Sequence, residues 1–315
     1  MIKRIIEIGI KIIAVCFFIL AVWLVYKEIQ KVGLSSLWQT IVSIPPWVLF
    51  VALCFIFCDY LCFSGYDFIA LKYIGQKVPV PNIIQTAMIS FSVTNTTGHA
   101  YLAGGSVRYL MYSKFGLSEL QILKMTAFES LTFLIGMITV LDISLMMCHF
   151  MKIPKLSSYG DLFLIGSVFL TALFISYYLF FILPKRKIII GKTSITAPTK
   201  KQTLFQIIIG SFDILSSSLV FYTLLRYHMD VNFAHVICIF TLAQVIGISS
   251  QVPGGLGVFE GAFLTLFNHT PAEKGLILAS LLTFRVLYYF LPLFISGIFL
   301  LIKNISDNYR GVHPQ

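Results

Sequence analysis

The sequence predicts an all-α, polytopic membrane protein, and three observations carry that prediction. The chain is 58% hydrophobic and only 11% charged, where soluble domains carry about 25% charged residues. Apolar runs near the roughly 20 helical residues that cross a hydrocarbon core recur along its length, with no soluble-looking block between them. Two further apolar regions are interrupted by glycine-rich breaks.

The first run, 5–26, has basic flanks. It is too long for a signal-peptide core and no small-residue cleavage site follows, so it reads as a retained first helix. Further spans are expected over 47–71, 118–149, 162–183, 203–226 and 274–302. Between them, 82–98 and 106–115 are joined by "GHAYLAGG", and 232–250 and 258–268 by "QVPGGLG". At about 1.5 Å per residue the second piece of each pair reaches about 15 Å, half a membrane. The expectation is therefore six full spans plus two re-entrant broken hairpins, about eight membrane helices.

Net charge is +10. The lysines and arginines gather in loops between spans, where topology and anionic lipid head groups account for them and no nucleic-acid partner is needed. The loop 184–202 carries Lys185, Arg186, Lys187, Lys192, Lys200 and Lys201 without an acid, which assigns it to the cytoplasm together with Lys3, Arg4 and Lys11. Two spans return the chain inside at Lys72 and Lys77, and two more must end inside, so 82–115 has to enter and leave on one side. The same reasoning makes 232–268 a hairpin from the outer side. Both termini are then cytoplasmic in a bacterial plasma membrane, with Lys152 outside and Lys192 inside.

The halves resemble one another. Asp59, Leu61, Ser64, Leu71, Lys72 and Tyr73 align at a shift of 154 with Asp213, Leu215, Ser218, Leu225, Arg226 and Tyr227. Asn82 matches Asn232, and Gly104-Gly105 matches Gly254-Gly255, at a shift of 150. Opposite running directions make this an inverted repeat, an arrangement common in transporters. Within one membrane domain, 1–315, residues 1–45 hold the first helix and loop, 46–150 repeat one, 162–183 a connecting span and 203–303 repeat two.

Unwound backbone at membrane depth survives only when buried in protein or lining a polar cavity. A half-helix starting there directs free N–H groups and the positive end of its dipole into that cavity, which suits a phosphate. Gly104, Gly105, Ser106 and Arg108 are the expected phosphate site, Gly254, Gly255 and Gly257 its counterpart, and Glu260 the partner of a cationic head group. A kink or close helix packing at the glycines is the competing reading, and Arg108 has the alternative of snorkelling to the surface.

Intramembrane ionisable residues are costly and usually face a partner or water. Glu129 and Arg285 fall at nearly equivalent depths and are expected to pair, with a static bridge as the alternative function. Asp59 and Asp213 sit at repeat-related positions, either as a functional pair or as hydrogen-bonding groups between spans. His99, at the first tip, is either a titrating group or bonded to backbone. All six cysteines fall in apolar segments; Cys54, Cys58 and Cys62 share one helix face, read as a packing face in preference to a soft-metal site because no His or acid accompanies them. No cofactor or metal is expected, and no P-loop, HExxH or GxSxG supplies catalytic residues.

The strings "TNTTGHAYLAGGSVRYLMYSKFGLS", "SSQVPGGLGVFEGAFL" and "FRVLYYFLPL" resemble the membrane region of bacterial lysylphosphatidylglycerol synthase/flippase proteins and their stand-alone relatives, over about 45–302. The resemblance implies a flippase-like module that carries aminoacylated or anionic phospholipid between leaflets. Full-length relatives add a cytosolic domain that makes the lipid from lysyl-tRNA, whereas this chain stops at Gln315, which leads us to expect no aminoacyl transfer. Alternatives are a phosphatidylglycerol lysyltransferase, a membrane partner of a separate lipid-modifying enzyme, and a polyprenyl-phosphate or glycolipid carrier.

Overall fold

The computed structural model describes residues 34–97, 104–153, 155–179, 187–190, 193–250 and 252–309. The expected first span, with Cys16, and the tip residue His99 lie outside the described residues.

A short helix α1 (Leu34–Ser43), not anticipated from the sequence, leads into α2 (Pro46–Ile74). Pro46 supplies the pre-set φ of a first helical turn, and Gly75 ends the helix in the left-handed region at φ 74°. Then follow α3 (Val80–Thr97), α4 (Gly105–Tyr112), α5 (Glu119–Phe150) and α6 (Gly160–Tyr177). The second half holds α7 (Lys200–His228), α8 (Phe233–Ser249), α9 (Val258–Leu266), α10 (Pro271–Arg285), a π-helical turn over Val286–Phe290, and α11 (Leu291–Tyr309). Among the described residues, five segments are long and apolar enough to cross a membrane: Pro46–Ile74, Glu119–Phe150, Ser157–Tyr177, Lys200–His228 and Glu273–Leu300. Phe233–Ser249 is apolar but shorter. The chain is a multi-pass helical membrane protein.

One element departs from the all-α expectation. β1 (Lys187–Ile190) pairs antiparallel with β2 (Thr193–Thr196), Lys187 opposite Thr196. The loop is basic, and its isoleucines and threonines, β-branched and suited to an extended backbone, favour this hairpin.

The helix starts are specified locally. Ser118 with Gln121, Thr199 with Gln202 and Thr270 with Glu273 form capping boxes at α5, α7 and α10, each satisfying amides that the first turn leaves without partners. Matching starts recur at nearly constant spacing: Pro46 and Lys200, Val80 and Phe233, Gly105 and Val258, Glu119 and Pro271 lie 154, 153, 153 and 152 residues apart.

At the centre α2 packs on α7, and α7 on α5. The α5–α7 crossing brings backbones together, because a Cβ on Gly136 would lie 2.1 Å from the carbonyl carbon of Gly210. Small residues at such a crossing gain dispersion contact where lipid offers no hydrophobic driving force. Aromatic rings fill the interior: Phe63 stacks on Phe91 at 4.1 Å between centroids, and Phe221 meets Phe240, Phe263 and Phe284. On the periphery, α6 exposes Leu162, Ile165, Val168 and Phe169, an apolar outer face suited to acyl chains.

Pro292 accounts for the π turn. It has no N–H to give the carbonyl four residues back, and its ring crowds that carbonyl. The group so released is the Tyr288 carbonyl, which accepts a hydrogen bond from the Tyr60 hydroxyl of α2 at 3.2 Å.

Candidate functional site

Among the described residues, seven buried side chains carry formal charge: Asp59, Asp67, Arg108, Glu129, Asp213, Glu260 and Arg285. They form three groups, two at the helix breaks and one between α2 and α7.

The first group is built on α4. Arg108 is in the opening turns of that eight-residue helix and is 2% exposed. Its Nη2 reaches Asp67 Oδ1 on α2 at 2.9 Å and Glu129 Oε2 on α5 at 2.9 Å, and its Nε donates to Asp67 Oδ1 at 3.2 Å. The Tyr112 hydroxyl, one turn on, donates to Asp67 Oδ2 at 2.5 Å. The guanidinium lies 4.8 Å from the centroid of the Phe91 ring on α3, a cation–π contact strengthened by desolvation. One acceptor stays open, since Glu129 Oε1 is buried and receives no hydrogen bond.

The second group has the same parts with the charges exchanged. The acid Glu260 is on the short helix α9, and the arginine, Arg285, ends α10. Arg285 Nε donates to Glu260 Oε1 at 2.7 Å, Nη1 to the Gly254 carbonyl at 2.5 Å and Nη2 to the Gly255 carbonyl at 3.5 Å. Glu260 Oε2 accepts from the Gly257 amide at 2.8 Å. The rings of Tyr289 and Phe259 lie 4.7 Å and 5.4 Å from the guanidinium.

The third group lies on the two central helices. On α2 and α7, Asp59 and Asp213 stand at one level of the crossing, between the contacts of Ser216 with the Phe55 carbonyl and of Cys62 with the Ile209 carbonyl. The Tyr288 hydroxyl, carried by the π turn, donates to Asp59 Oδ2, and the Tyr66 hydroxyl donates to Asp213 Oδ2 at 2.8 Å. Asp59 Oδ1 is buried without a hydrogen bond.

The expected pairing of Glu129 with Arg285 is not formed. Each finds its opposite charge on the adjacent short helix instead, Glu129 at Arg108 and Arg285 at Glu260, because each short helix packs on the long helix that follows it and brings its charge within reach. The two glycine pairs also differ. Gly104 is right-handed helical at φ −66° and its carbonyl accepts from the Ser90 hydroxyl at 2.9 Å, and Gly105 and Ser106 continue into α4. Gly254 and Gly255 are left-handed, at φ 60° and 61°, three positions or more before α9, so the match at a shift of 150 aligns residues with different backbone roles. At this second tip carbonyls face a guanidinium, and the Gly257 amide is taken by Glu260; the expectation was of amides facing an anion.

Asp67, Tyr66, Tyr112 and Tyr288 were not singled out from the sequence. Asp67 carried the available signal, an acid inside an apolar segment. The tyrosines had no signal of their own, since a tyrosine in a membrane helix is ordinary until its hydroxyl is seen to meet a carboxylate. Cys54 and Cys58 are exposed and Cys62 half-buried, and among the described residues no three His, Cys, Asp or Glu side chains group as metal ligands.

Residues 8–296 match the family model described as the lysylphosphatidylglycerol synthase TM region. The uncharacterized protein slr0712 of Synechocystis is 32% identical over 301 residues, covering 92% of this chain and 90% of that protein. The inner membrane protein YbhN of Escherichia coli is 28% identical over 307 residues, covering 96% and 94%. A phosphatidylglycerol lysyltransferase of Staphylococcus haemolyticus is 23% identical over 300 residues, 93% of this chain but 34% of that protein. The chain thus spans about a third of the lysyltransferase's length.

Proposed function

The chain belongs to the lysylphosphatidylglycerol synthase transmembrane-region family, and on that premise we propose that it moves a phospholipid with a cationic or zwitterionic head group, of the aminoacylated kind, between bilayer leaflets. The observation that carries this reading is the buried charge balance. Beside the two buried guanidiniums, Arg108 and Arg285, stand three carboxyls, Asp67, Glu129 and Glu260, so that acids outnumber bases at the helix breaks even with the Asp59–Asp213 pair set apart. Burying an unmatched charge is expensive, so a surplus of acids favours a guest that brings positive charge with it.

The first group suggests how the exchange proceeds. Arg108 is shared by Asp67 and Glu129. An ammonium arriving at the open Glu129 Oε1 takes over one of these acids and frees the guanidinium for the lipid phosphate, which it binds through paired N–H donors. Each ion is handed from one partner to another, and no charge is left bare in the low-dielectric interior. Gly104, Gly105 and Ser106 let the phosphate approach the start of α4, where the helix dipole favours it. At the second tip, Glu260 and the Gly254 and Gly255 carbonyls meet the ammonium in the same way once Arg285 swings toward phosphate.

Near-constant spacing between matching helix starts and the reversed order of arginine and acid support an inverted repeat, 46–150 and 203–303, whose broken hairpins enter from opposite faces of a bacterial plasma membrane with both termini cytoplasmic. Such symmetry supplies two equivalent states for alternating access. The test uses vesicles containing the purified chain and nitrobenzoxadiazole-labelled lysylphosphatidylglycerol or phosphatidylglycerol, with label on the outer leaflet bleached by dithionite. The cationic lipid is expected to equilibrate at least tenfold faster than in protein-free vesicles and faster than the anionic lipid. Protein-free rates for both lipids overturn the proposal, as does a preference for phosphatidylglycerol.

A further inference from the structure

We propose that Asp59 and Asp213 form a proton-binding pair at the centre of the molecule and that loading and unloading of that proton accompanies the transport cycle. Both carboxyls are in the interior, 0% and 5% exposed, and both stand on helices long and apolar enough to cross a bilayer. Neither has an ion-pair partner among the described residues. Each receives one phenolic hydrogen bond, from Tyr288 and from Tyr66, and Asp59 Oδ1 receives none. Two carboxylates at one level of this helix crossing, without a counter-ion, cannot both stay ionised in a dry interior. One proton, lodged at the otherwise unpartnered Asp59 Oδ1, removes the conflict.

The surroundings fit a proton better than a metal ion. The titratable and charged groups facing the pair are Cys58, Tyr60, Cys62 and Tyr66 on α2, Tyr288 and Tyr289 on the π turn and, beyond Tyr289, Arg285 with Glu260. Phenols and thiols donate hydrogen bonds but do not supply the oxygen cage that a hard cation requires. π turns often mark functional positions, and this one carries both Tyr288, at the pair, and Tyr289, at the second ion cluster. On the other side Tyr66 neighbours Asp67 of the first cluster. The tyrosine bonded to each carboxyl is thus the chain neighbour of a residue at one of the two ion clusters, Tyr288 of Tyr289 and Tyr66 of Asp67. A proton taken from water on one face leaves to water on the other, and the pair returns to its starting state with no other atom exchanged.

Proton binding can be tested without any transported lipid, and only its coupling to movement rests on the translocation reading. Infrared spectra of the purified full-length chain, in nanodiscs of phosphatidylglycerol and phosphatidylethanolamine, are recorded across a pH series in water and deuterium oxide. A deuterium-sensitive carboxylic-acid C=O band is expected near neutral pH. In Asp59→Asn and in Asp213→Asn that component is expected to be lost or to titrate at least one pH unit lower, with tyrosine fluorescence and gel-filtration profile reporting retained fold. A wild-type chain without such a band, or variants with an unchanged one, overturns the proposal. So does a band abolished when sodium chloride replaces choline chloride, because the pair then holds a metal cation. In vesicles, an imposed pH gradient is expected to change the rate for labelled lysylphosphatidylglycerol severalfold in the wild type and not in Asp213→Asn; a gradient-insensitive wild-type rate overturns the coupling. A band that behaves as expected with no lipid movement at all supports the proton site and defeats the translocation reading alone.

Discussion

Glu260 has two tasks, holding Arg285 at 2.7 Å and closing the Gly257 amide at 2.8 Å. Glu260→Ala removes the buried carboxylate that holds the Arg285 guanidinium, and the expected loss is about 3–5 kcal/mol. Asp67→Asn is a useful contrast, because Arg108 keeps Glu129 and the amide oxygen still accepts a hydrogen bond; the loss there is expected to be about 1 kcal/mol. Thermal unfolding in detergent separates them, and a larger shift for Asp67→Asn contradicts the way charge is shared at the two breaks. The same chemistry sets the functional expectation for Glu129→Gln. Removing the open carboxylate is expected to slow cationic-lipid movement by tenfold or more while the fold persists, as read by the dithionite assay; an unchanged rate takes Glu129 out of the mechanism.

Between elements, contact is decided by backbone approach. Gly136 and Gly210 allow α5 and α7 to cross with almost nothing between them, so Gly136→Leu is expected to force these helices apart. With no room for the larger side chain, the cost is at least the roughly 1–3 kcal/mol of an overpacked core, seen as a lower unfolding temperature. Pro292 acts in the opposite sense, by creating irregularity. With Pro292→Ala the helix can regain its hydrogen bond to the Tyr288 carbonyl, which competes with Tyr60 for that oxygen and turns Tyr288 away from Asp59. Stability is expected to hold or rise while lipid movement falls severalfold, the trade expected where an irregular backbone serves function. Movement at the wild-type rate would show that the π turn is dispensable.

For the whole molecule, the question is which way each half faces. Single cysteines introduced as Lys152→Cys and Ser194→Cys, in a background without native cysteines, are expected to react with a membrane-impermeant maleimide from outside and only after permeabilisation, respectively. The expectation follows from the six cations and absence of acids over 184–202, since such loops stay cytoplasmic. Reaction of both from outside removes the inverted arrangement, and with it the symmetry that would let two half-helix sites take turns facing each leaflet.

Composition and apolar run length were enough to read a multi-pass helical protein and to place Pro46–Ile74, Glu119–Phe150 and Lys200–His228 within a few residues, because a lipid solvent demands long apolar helices whatever the fold. The left-handed turn at Gly254 and Gly255 was legible for a related reason, as glycine and proline act on the backbone locally. The partners of the charges were not. Arg108 meets Asp67 across 41 residues and Tyr288 meets Asp59 across 229, and nothing near either residue in the chain signals such a meeting. Which carboxylate a buried arginine finds depends on how helices pack, and charge in a low-dielectric interior is neutralised by proximity in space. The acid surplus on which the functional reading rests therefore became visible only when the tertiary structure showed which ions remain once the pairs are made.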